Sequence, residues 1–269
     1  MGDIMESGKL GIIGYGNMGA AIIRGLISAG LYKAGNITVY DVDSDKRDAA
    51  GKDGCSVTDT ADEVGAAVDT VIVAVKPGYV CSVLEGLDSL NAETLVISVA
   101  AGVTISSIEA ALGDNPVVRV MPNTPCMVGE GASALARGTS AGDTHAATAM
   151  EIMGALGYAC EVPESLMDAV TGLSGSGPAY VALVIDALSD GGVKMGLPRP
   201  TALKLAAQTV LGAAKMIVDG DMQPSALRDM VTSPGGTTIE GISVLESRAV
   251  RSAFIDAVEA AVWKAEELG

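Results

Sequence analysis

The sequence has little of what most side-chain catalysis requires. Histidine occurs once, at His145, and the four cysteines lie 26, 45 and 34 residues apart along the chain. These counts argue against a Cys-x-x-Cys zinc or redox site, a His-rich metal site and a Ser-His-Asp triad, because the ligands and the base are missing. We expect buried thiols, no metal site and an uninvolved, surface-exposed His145. Any chemistry must then depend on a bound cofactor.

Basic residues are also scarce. Lysine and arginine number 17 against 33 acidic residues, which gives a net charge of −16 and argues against nucleic acid as a partner. The longest run without a charge, 17 residues from Ala169 to Ile185, is interrupted by glycine and proline, so no membrane-spanning helix is predicted. The first seven residues lack the basic and apolar regions of a secretory signal, and we expect a cytoplasmic protein.

The order of predicted elements divides the 269 residues into two parts. From residue 9 to residue 121, β-branched runs alternate with amphipathic helical stretches, which predicts a Rossmann-type, doubly wound and mostly parallel sheet. Strands are predicted at 9–13, 36–41, 70–75, 94–99, 116–121, 131–137 and 158–162, with a helix at 141–156. After Pro163 only helices are predicted, at 164–173, 178–195, 198–219, 224–231 and 239–268. We therefore expect an α/β domain at 1–163 and an all-α domain at 164–269.

The first predicted strand runs directly into Gly14-Tyr15-Gly16-Asn17-Met18-Gly19, and a helical stretch follows. This is a Gly-x-Gly-x-x-Gly sequence in the strand–turn–helix context of a dinucleotide site. Gly14 permits the tight turn, Gly16 lets a pyrophosphate approach the backbone, and Gly19 lets helix and strand pack closely. The N–H groups at the helix N-terminus attract phosphate. We therefore expect Gly14, Gly16, Asn17, Met18 and Gly19 to bind a dinucleotide cofactor in the domain at 1–163.

An acidic residue, Asp41, ends the second predicted strand, 22 residues after the last glycine of that turn. A carboxylate at this place bonds the ribose 2′-hydroxyl of NAD. An aspartate beside Asp43 and Asp45 is also consistent with a solvated strand end. Lys46 and Arg47 follow and are suited to a 2′-phosphate. The residues therefore leave NAD and NADP both open.

Two further strand ends lie where a doubly wound sheet binds its ligand, beyond the carboxyl ends of the strands. One reads Ala74-Val75-Lys76-Pro77 and the other Ala100-Ala101-Gly102. Small residues there leave room for a flat ring, so both segments are expected to line the nicotinamide half of the cofactor site. Without that context, Lys76-Pro77 also serves simply to end a strand and begin a helix.

Two glycine-rich turns in the helical part each precede a predicted helix. Helix capping explains much of Ser174-Gly175-Ser176-Gly177-Pro178. Ser233-Pro234-Gly235-Gly236-Thr237-Thr238 exposes backbone N–H groups and hydroxyls at a helix N-terminus, which together predict a site for a small carboxylate. The helical part is rich in alanine, which is compatible with a monomeric bundle or with surfaces buried against a second copy.

Five segments closely resemble those of the pyrroline-5-carboxylate reductases, in the family's order and across nearly the whole chain. They are Ile13–Gly19, Ala74–Pro77, Val118–Pro125, Ser174–Tyr180 and Leu227–Thr238. The last is the most specific, since the glycine-rich turn alone fits many dehydrogenases. The resemblance implies hydride transfer from NADPH or NADH to C5 of 1-pyrroline-5-carboxylate, which gives L-proline in the last step of proline biosynthesis.

The resemblance also implies roles for the helical part, 164–269, in substrate binding and dimerisation. It places the substrate carboxylate against Ser233, Gly235, Gly236, Thr237 and Thr238, and the catalytic hydroxyl of Thr238 close to the ring nitrogen. The family builds this pocket at an intertwined homodimer interface, and its dimers often assemble into larger rings. Family habit favours NADPH, whereas Asp41 argues that NADH is also used.

Two other functions are consistent with parts of the sequence. A related two-domain enzyme acting on a hydroxy acid or a deazaflavin shares the glycine-rich turn. The Ser233–Thr238 turn, and the lack of a suitably placed catalytic lysine or histidine in the helical part, argue against a hydroxy-acid enzyme. A nucleotide-sensing protein would bind the cofactor without turnover.

Overall fold

Short aliphatic runs form eight strands among residues 8–268, the part of the chain that the computed structural model describes. They are β1 (Leu10–Ile13), β2 (Ile37–Tyr40), β3 (Ser56–Val57), β4 (Thr70–Val73), β5 (Leu95–Ser98), β6 (Val117–Met121), β7 (Gly131–Arg137) and β8 (Gly157–Glu161). All join one sheet in the order β3-β2-β1-β4-β5-β6-β7-β8. Neighbouring strands are parallel except β6 and β7, which are antiparallel. The predicted mostly parallel sheet is confirmed.

Twelve α-helices occur among the same described residues, six between the strands and six after β8. They are α1 (Asn17–Ser28), α2 (Ser44–Lys52), α3 (Ala61–Ala66), α4 (Val80–Leu84), α5 (Ile105–Leu112), α6 (Asp143–Gly154), α7 (Met167–Val170), α8 (Gly177–Lys194), α9 (Arg199–Val218), α10 (Pro224–Met230), α11 (Thr237–Ser247) and α12 (Val250–Leu268). The prediction that an α/β part precedes an all-α part is therefore also confirmed.

The central strands are buried on both faces, as expected of parallel strands covered by helices. Ile12 belongs to one apolar cluster and its neighbour Ile13 to another, because successive side chains of a strand point to opposite faces. β1 pairs with β2 on one side and with β4 on the other. The strand order reverses at this point, and the carboxyl ends of β1 and β4 therefore form the crevice in which such sheets bind ligands.

The chain divides into two compact units. The first runs up to Ser176 and includes the chain from Ala260 onward, and the second is Gly177–Glu259. The domain boundary at Pro163 remains a prediction. In the second unit α8 and α9 pack together, and a Cβ atom at Gly192 would lie 3.2 Å from that of the buried Ala202. Small residues thus permit the close approach of these two helices.

Three local predictions were wrong. The stretch 239–268, expected as one helix, is two, because Ala249 between α11 and α12 adopts a left-handed φ of 54°. The stretch 164–173 is a 3₁₀ turn (Glu164–Leu166), the short α7 and a π-helical turn (Thr171–Gly175) rather than one α-helix. Strand β3 was missed, because its two exposed residues carry no buried apolar pattern.

Two residue classes differ from expectation. Cys55 and Cys126 are buried, but Cys81 and Cys160 are partly exposed, so the expectation of buried thiols was wrong for that pair. His145 is half-buried in the first turn of α6, where its Nδ1 accepts a hydrogen bond from the Gly142 N–H at 3.1 Å.

Among the described residues, α9 alone is long and apolar enough to span a membrane by length and composition, at 20 residues and a mean hydropathy of 1.2. A single helix of this kind is weak evidence. The absence of a membrane-spanning segment therefore remains a prediction.

Candidate active site

The glycine-rich turn after β1 has a backbone that only glycine fits at two positions. Gly14 has a φ of 103°, and a Cβ atom there would lie 2.6 Å from the Ala74 carbonyl oxygen. A Cβ at Gly19 would lie 2.0 Å from the Gly14 carbonyl oxygen. The turn is therefore packed against itself and against the end of β4, as the sequence predicted for these two glycines.

The middle glycine has a different environment. A Cβ at Gly16 would meet nothing within 4 Å among the described residues, and Gly16 is the N-cap of α1. No described side chain caps this helix, so the N–H groups of its first turn have no side-chain acceptor among those residues and lie at the positive end of the helix dipole. Asn17 is exposed, while the Met18 sulfur lies 3.8 Å from the buried Cys126 thiol. The cradle fits a pyrophosphate, and the partly buried Met18 side chain is directed at Cys126.

Asp41 follows β2 and turns its carboxylate towards the glycine-rich turn. Asp41 is 6% exposed, and its carboxylate accepts hydrogen bonds from the Tyr15 N–H at 2.7 Å and the Asp43 N–H at 2.9 Å. Lys46 Nζ lies 3.9 Å from Asp41 Oδ2. Arg47 donates to the carbonyl of Asp41 at 2.6 Å, so its guanidinium is directed at the backbone. Lys46 is therefore the better placed of the two cations for a 2′-phosphate.

The turn is also anchored through its tyrosine. The Tyr15 hydroxyl donates to the Asp53 carboxylate, which accepts a second bond from Arg24 Nε at 2.7 Å. Burial, followed by the hydrogen bond to Asp53, raises the pKa of Tyr15 to about 12. The same hydrogen bond is the main cause that lowers the pKa of Asp53. Tyr15 thereby joins the turn to the C-terminal end of α2, a contact that the sequence did not predict.

The residues expected on the nicotinamide side follow β4 and β5. Ala74 donates its N–H to the Ile13 carbonyl at 2.8 Å, and Val75 packs near Gly14. Lys76 is exposed and Ala100 is buried. A cavity of about 200 Å³ is lined by Pro77, Ala101, Gly102, Thr171, Ala265 and Leu268. The structure therefore adds Thr171, in the π-helical turn, to three residues that the sequence had singled out.

In the second unit, the segment Ser233–Thr238 forms a tight turn that leads into α11. The Gly236 N–H donates to the Ser233 carbonyl at 3.1 Å, and Gly235 has a left-handed φ of 66°. Gly236 is the N-cap of α11, and no described side chain caps it. Thr237 is exposed and Thr238 half-buried in the first helical turn. This arrangement offers backbone N–H groups and hydroxyls to a small anion.

Metal-binding side chains show no comparable grouping. The residues that the structure describes contain no cluster of three or more His, Cys, Asp or Glu side chains positioned to hold a metal ion.

Two family models match different parts of the chain. Residues 9–102 match the family described as NADP oxidoreductase, coenzyme F420-dependent. Residues 164–268 match the family described as pyrroline-5-carboxylate reductase dimerisation. The first covers β1 to β5 and the second covers the helices after β8. The chain therefore has a nicotinamide-cofactor oxidoreductase fold and a dimerisation domain.

Relatives of known name resemble the chain along nearly its whole length. The pyrroline-5-carboxylate reductase of Methanosarcina acetivorans is 49% identical over 268 residues, 98% of this chain and 99% of that protein. A solved pyrroline-5-carboxylate reductase from Coxiella burnetii is 40% identical, with a TM-score of 0.92 over 98% of this chain and 99% of that one. The Plasmodium falciparum pyrroline carboxylate reductase, solved with NADP bound, is 34% identical with a TM-score of 0.88, over 98% of this chain and 99% of that one. This chain belongs to the pyrroline-5-carboxylate reductase family.

Proposed function

We propose that the protein reduces the carbon–nitrogen double bond of 1-pyrroline-5-carboxylate to L-proline, with a nicotinamide dinucleotide as hydride donor. The observation that carries this proposal is the near full-length match to reductases of that name, at 49% identity for the Methanosarcina acetivorans protein. The two anion-binding helix N-termini support it, since the reaction requires one site for a pyrophosphate and another for a carboxylate.

The reaction suits a chain with one histidine. A protonated cyclic imine is already an electrophile, so its reduction requires orientation and a hydride donor rather than a strong base or a metal. When bound, the reduced nicotinamide supplies the hydride for C5 of the imine. The protein's own residues bind the imine and the cofactor, orient them towards each other, and exclude water from the reacting atoms.

The substrate carboxylate is proposed to bind in the Ser233–Thr238 turn. The helix dipole of α11, the backbone N–H groups after Gly235 and the Thr237 hydroxyl all favour a negative charge there. The half-buried Thr238 is in the same helical turn. A threonine hydroxyl is not acidic enough to be a general acid at neutral pH, so Thr238 is proposed to position the ring nitrogen or a water that relays the proton.

The cofactor is proposed to be either NADH or NADPH. Gly14, Gly16, Asn17, Met18 and Gly19 would hold the pyrophosphate, and the segments at 74–77 and 100–102 would line the nicotinamide side. Asp41 retains lone pairs for a ribose 2′-hydroxyl beside its two backbone bonds, since a carboxylate oxygen accepts more than one hydrogen bond. Lys46 beside it offsets the repulsion of a 2′-phosphate.

The functional form is proposed to be a homodimer or a larger homo-oligomer. Large apolar side chains of the second unit are exposed in the single chain, among them Leu183, Val218 and Ile255 at 69%, 77% and 67% exposure. Exposed apolar surface of this kind marks an interface. The dimerisation-family match covers all three residues. The compartment is proposed to be the cytoplasm.

The direct test follows the absorbance of reduced nicotinamide while 1-pyrroline-5-carboxylate is added, with NADH and NADPH in parallel. We expect oxidation of the cofactor with stoichiometric formation of proline. A hydroxy acid offered with the oxidised cofactor serves as the control substrate and should not react. Cofactor binding without turnover of 1-pyrroline-5-carboxylate would contradict the proposal and favour a nucleotide-sensing role.

A further inference from the structure

One buried side chain ties the end of β6 to a distant helical turn. Asn123 is 8% exposed, and both ends of its amide are used. Its Nδ2 donates to the Ser174 carbonyl at 3.0 Å, and its Oδ1 accepts from the Ala132 N–H at 2.9 Å. Asn123 thus bridges β7 and the π-helical turn Thr171–Gly175, which lies some fifty residues further along the chain. The sequence singled out the surrounding segment but gave Asn123 no role.

The π-helical turn is held closely against the same strand end. A Cβ atom at Gly175 would lie 2.7 Å from the Met121 methyl group, so the turn packs directly against the side chain of the last residue of β6. The approach to the turn is fixed as well, because the buried Arg119 pairs with Glu164 at 3.0 Å, and Glu164 also accepts the Ile105 N–H at 2.7 Å. π-Helical turns are rare and occur frequently at functional sites.

The other end of the turn reaches the cofactor side. Thr171 lines the cavity of about 200 Å³ that Pro77, Ala101 and Gly102 also line. The Thr171 hydroxyl donates back to the Met167 carbonyl at 2.9 Å, which orients its methyl group and backbone relative to that cavity. A shift of the turn at Ser174 would therefore move a wall of the cavity.

We propose that Asn123 is a positioning residue, which fixes the π-helical turn Thr171–Gly175 as the wall of the nicotinamide end of the cofactor site. Asn123 touches neither substrate nor cofactor in this scheme and acts through the Ser174 carbonyl. The assignment of the cavity to nicotinamide rests on the proposed function.

The test substitutes Asn123→Asp and compares two ligands. ADP-ribose carries the adenosine and pyrophosphate of NADH but no nicotinamide. The introduced carboxylate keeps the acceptor for the Ala132 N–H but removes the donor to Ser174 and repels its carbonyl. We expect NADH to bind about 10-fold or more weakly, and ADP-ribose to bind within about twofold of the wild type. If the protein binds only NADPH, that cofactor and 2′-phospho-ADP-ribose replace the pair.

The pH dependence separates positioning from general damage. A buried aspartate beside a carbonyl oxygen has a raised pKa, and its protonated form again donates a hydrogen bond. The NADH affinity of Asn123→Asp should therefore recover relative to that of ADP-ribose as the pH falls from about 8 to about 5, and the wild type should show no such recovery.

Asn115→Asp is the matched control. Asn115 is also 8% exposed, and its Nδ2 donates to the Asn91 and Thr94 carbonyls at 2.7 and 3.2 Å. It precedes β6, whereas Asn123 follows it, so Asn115→Asp should lose stability without changing the ratio of the two affinities. If Asn123→Asp does not fold, the neutral and smaller Asn123→Ser removes the same donor to Ser174 without burying a charge, and it should weaken NADH binding selectively.

An unchanged NADH affinity in Asn123→Asp, or an equal loss for ADP-ribose, would overturn the positioning role. A change of the affinity ratio in Asn115→Asp as large as that in Asn123→Asp would overturn it too. The proposed function fails separately, if the wild type binds NADH but does not reduce 1-pyrroline-5-carboxylate.

Discussion

The carboxylate of Asp41 accepts the backbone N–H of Tyr15 at 2.7 Å. The residue expected to bind the ribose is thereby hydrogen-bonded to the turn expected to hold the pyrophosphate. Asp41 is 6% exposed, and its two carboxylate oxygens each accept a backbone N–H, from Tyr15 and from Asp43, so the side chain is held in this orientation. A substitution at Asp41 should therefore act on cofactor choice and also on the shape of the turn.

The first prediction concerns this choice. Lys46, whose side chain is 45% exposed, lies beside Asp41 and opposes its charge. A competing charge at such an exposed site is worth only about 1 kcal/mol, so the net preference should be modest and the wild type should use NADH no worse than NADPH by more than about tenfold in kcat/KM. Asp41→Ser removes the charge and should shift the ratio towards NADPH, because Lys46 then faces the phosphate without its partner. Steady-state kinetics with both cofactors measure the shift.

Asp41→Asn controls for the shape of the turn. It keeps the size of the side chain and one acceptor for a backbone N–H, so it should shift the ratio in the same direction with a smaller loss of stability. A wild type that prefers NADPH by about a hundredfold or more would show that Asp41 does not face the ribose.

The second prediction concerns Gly16, whose open surroundings separate binding from folding. Gly16→Val places a side chain where the pyrophosphate would approach and should weaken NADH and ADP-ribose binding by about 100-fold or more, because it removes charge-assisted bonds to the phosphates. The melting temperature should change little, since Gly16 has a φ of −75° and ψ of −168°, which any residue adopts. Isothermal titration and thermal unfolding measure the two effects.

Gly142→Val is the matched control for Gly16→Val. Gly142 is also the N-cap of a 12-residue helix, with a φ of −78°, and a Cβ there meets nothing within 4 Å among the described residues. The Gly142→Val variant should bind NADH and ADP-ribose with the same affinity as the wild type. Equal binding losses in the two variants would remove Gly16 from the cofactor site.

The third prediction concerns Thr238. Thr238→Ala should lower turnover by about 5- to 150-fold, which corresponds to a lost oriented contact of about 1–3 kcal/mol, and should leave cofactor affinity nearly intact. Thr238→Ser keeps the hydroxyl and should retain most of the activity. Turnover in Thr238→Ala like that of the wild type would remove this hydroxyl from the mechanism.

The fourth prediction concerns the tyrosine anchor. Because the hydrogen bond from Tyr15 is the main cause of the lowered pKa of Asp53, Tyr15→Phe should raise that pKa towards its ordinary value. A carboxylate with a lowered pKa stabilises the fold above its unfolded-state pKa, and this contribution disappears as the pH falls through the folded-state value. The carboxylate part of the stability difference between the two proteins should therefore be present at neutral pH and absent in strong acid.

At alkaline pH the contribution of Tyr15 to stability changes in the opposite direction, because it falls as the pH rises. The pKa of Tyr15 is raised to about 12, so the wild type should lose the phenol's contribution to stability as the pH rises from about 10 towards 12. Tyr15→Phe should lack this decline. NMR titration of the Asp53 carboxyl carbon and denaturation at several pH values measure both effects, and an Asp53 pKa that does not move in Tyr15→Phe contradicts the coupling.

The fifth prediction concerns assembly. If a cofactor site of one copy and a carboxylate turn of another form each active site, a mixture of Gly16→Val and Thr238→Ala chains should regain activity. Random exchange of subunits gives about one quarter of sites without either substitution. No regain after exchange, or a stable and active monomer of 27.0 kDa in sedimentation, contradicts an active site shared between copies of a dimer.

The sequence predicted the α/β part well because its signals are local. The period-two and continuous apolar runs placed β1, β2 and β4 to β8 within two residues, and the glycines of the turn have the backbone geometry expected of them. β3 was missed because two exposed residues leave no apolar pattern. The break between α11 and α12 at Ala249 was missed because alanine favours helix and no neighbouring residue indicates a left-handed conformation there.

The parts of the candidate site that are formed by backbone turns could be predicted from the sequence. The hydrogen bonds between side chains and residues far apart in the sequence could not. Gly16 and Gly235 lie in turns that their neighbours identify. The bonds from Tyr15 to Asp53 and from Asn123 to Ser174 join residues 38 and 51 positions apart, and no spacing rule connects them. Thr171 was missed because a π-helical turn has no sequence signature that separates it from an α-helix.

The strand order has a consequence for how the chain is made. β1 pairs with β4 at Leu10 and Thr70, 60 positions apart, so the strand synthesised first stays unpaired on one side until β4 has been synthesised. Contacts of such sequence separation form slowly. Helices α8 and α9 follow each other in the sequence and pack against each other, so this contact is expected to form quickly by comparison. A nascent chain that stalls before residue 70 would therefore present β1 as an exposed apolar edge, open to pairing with the same strand of another copy.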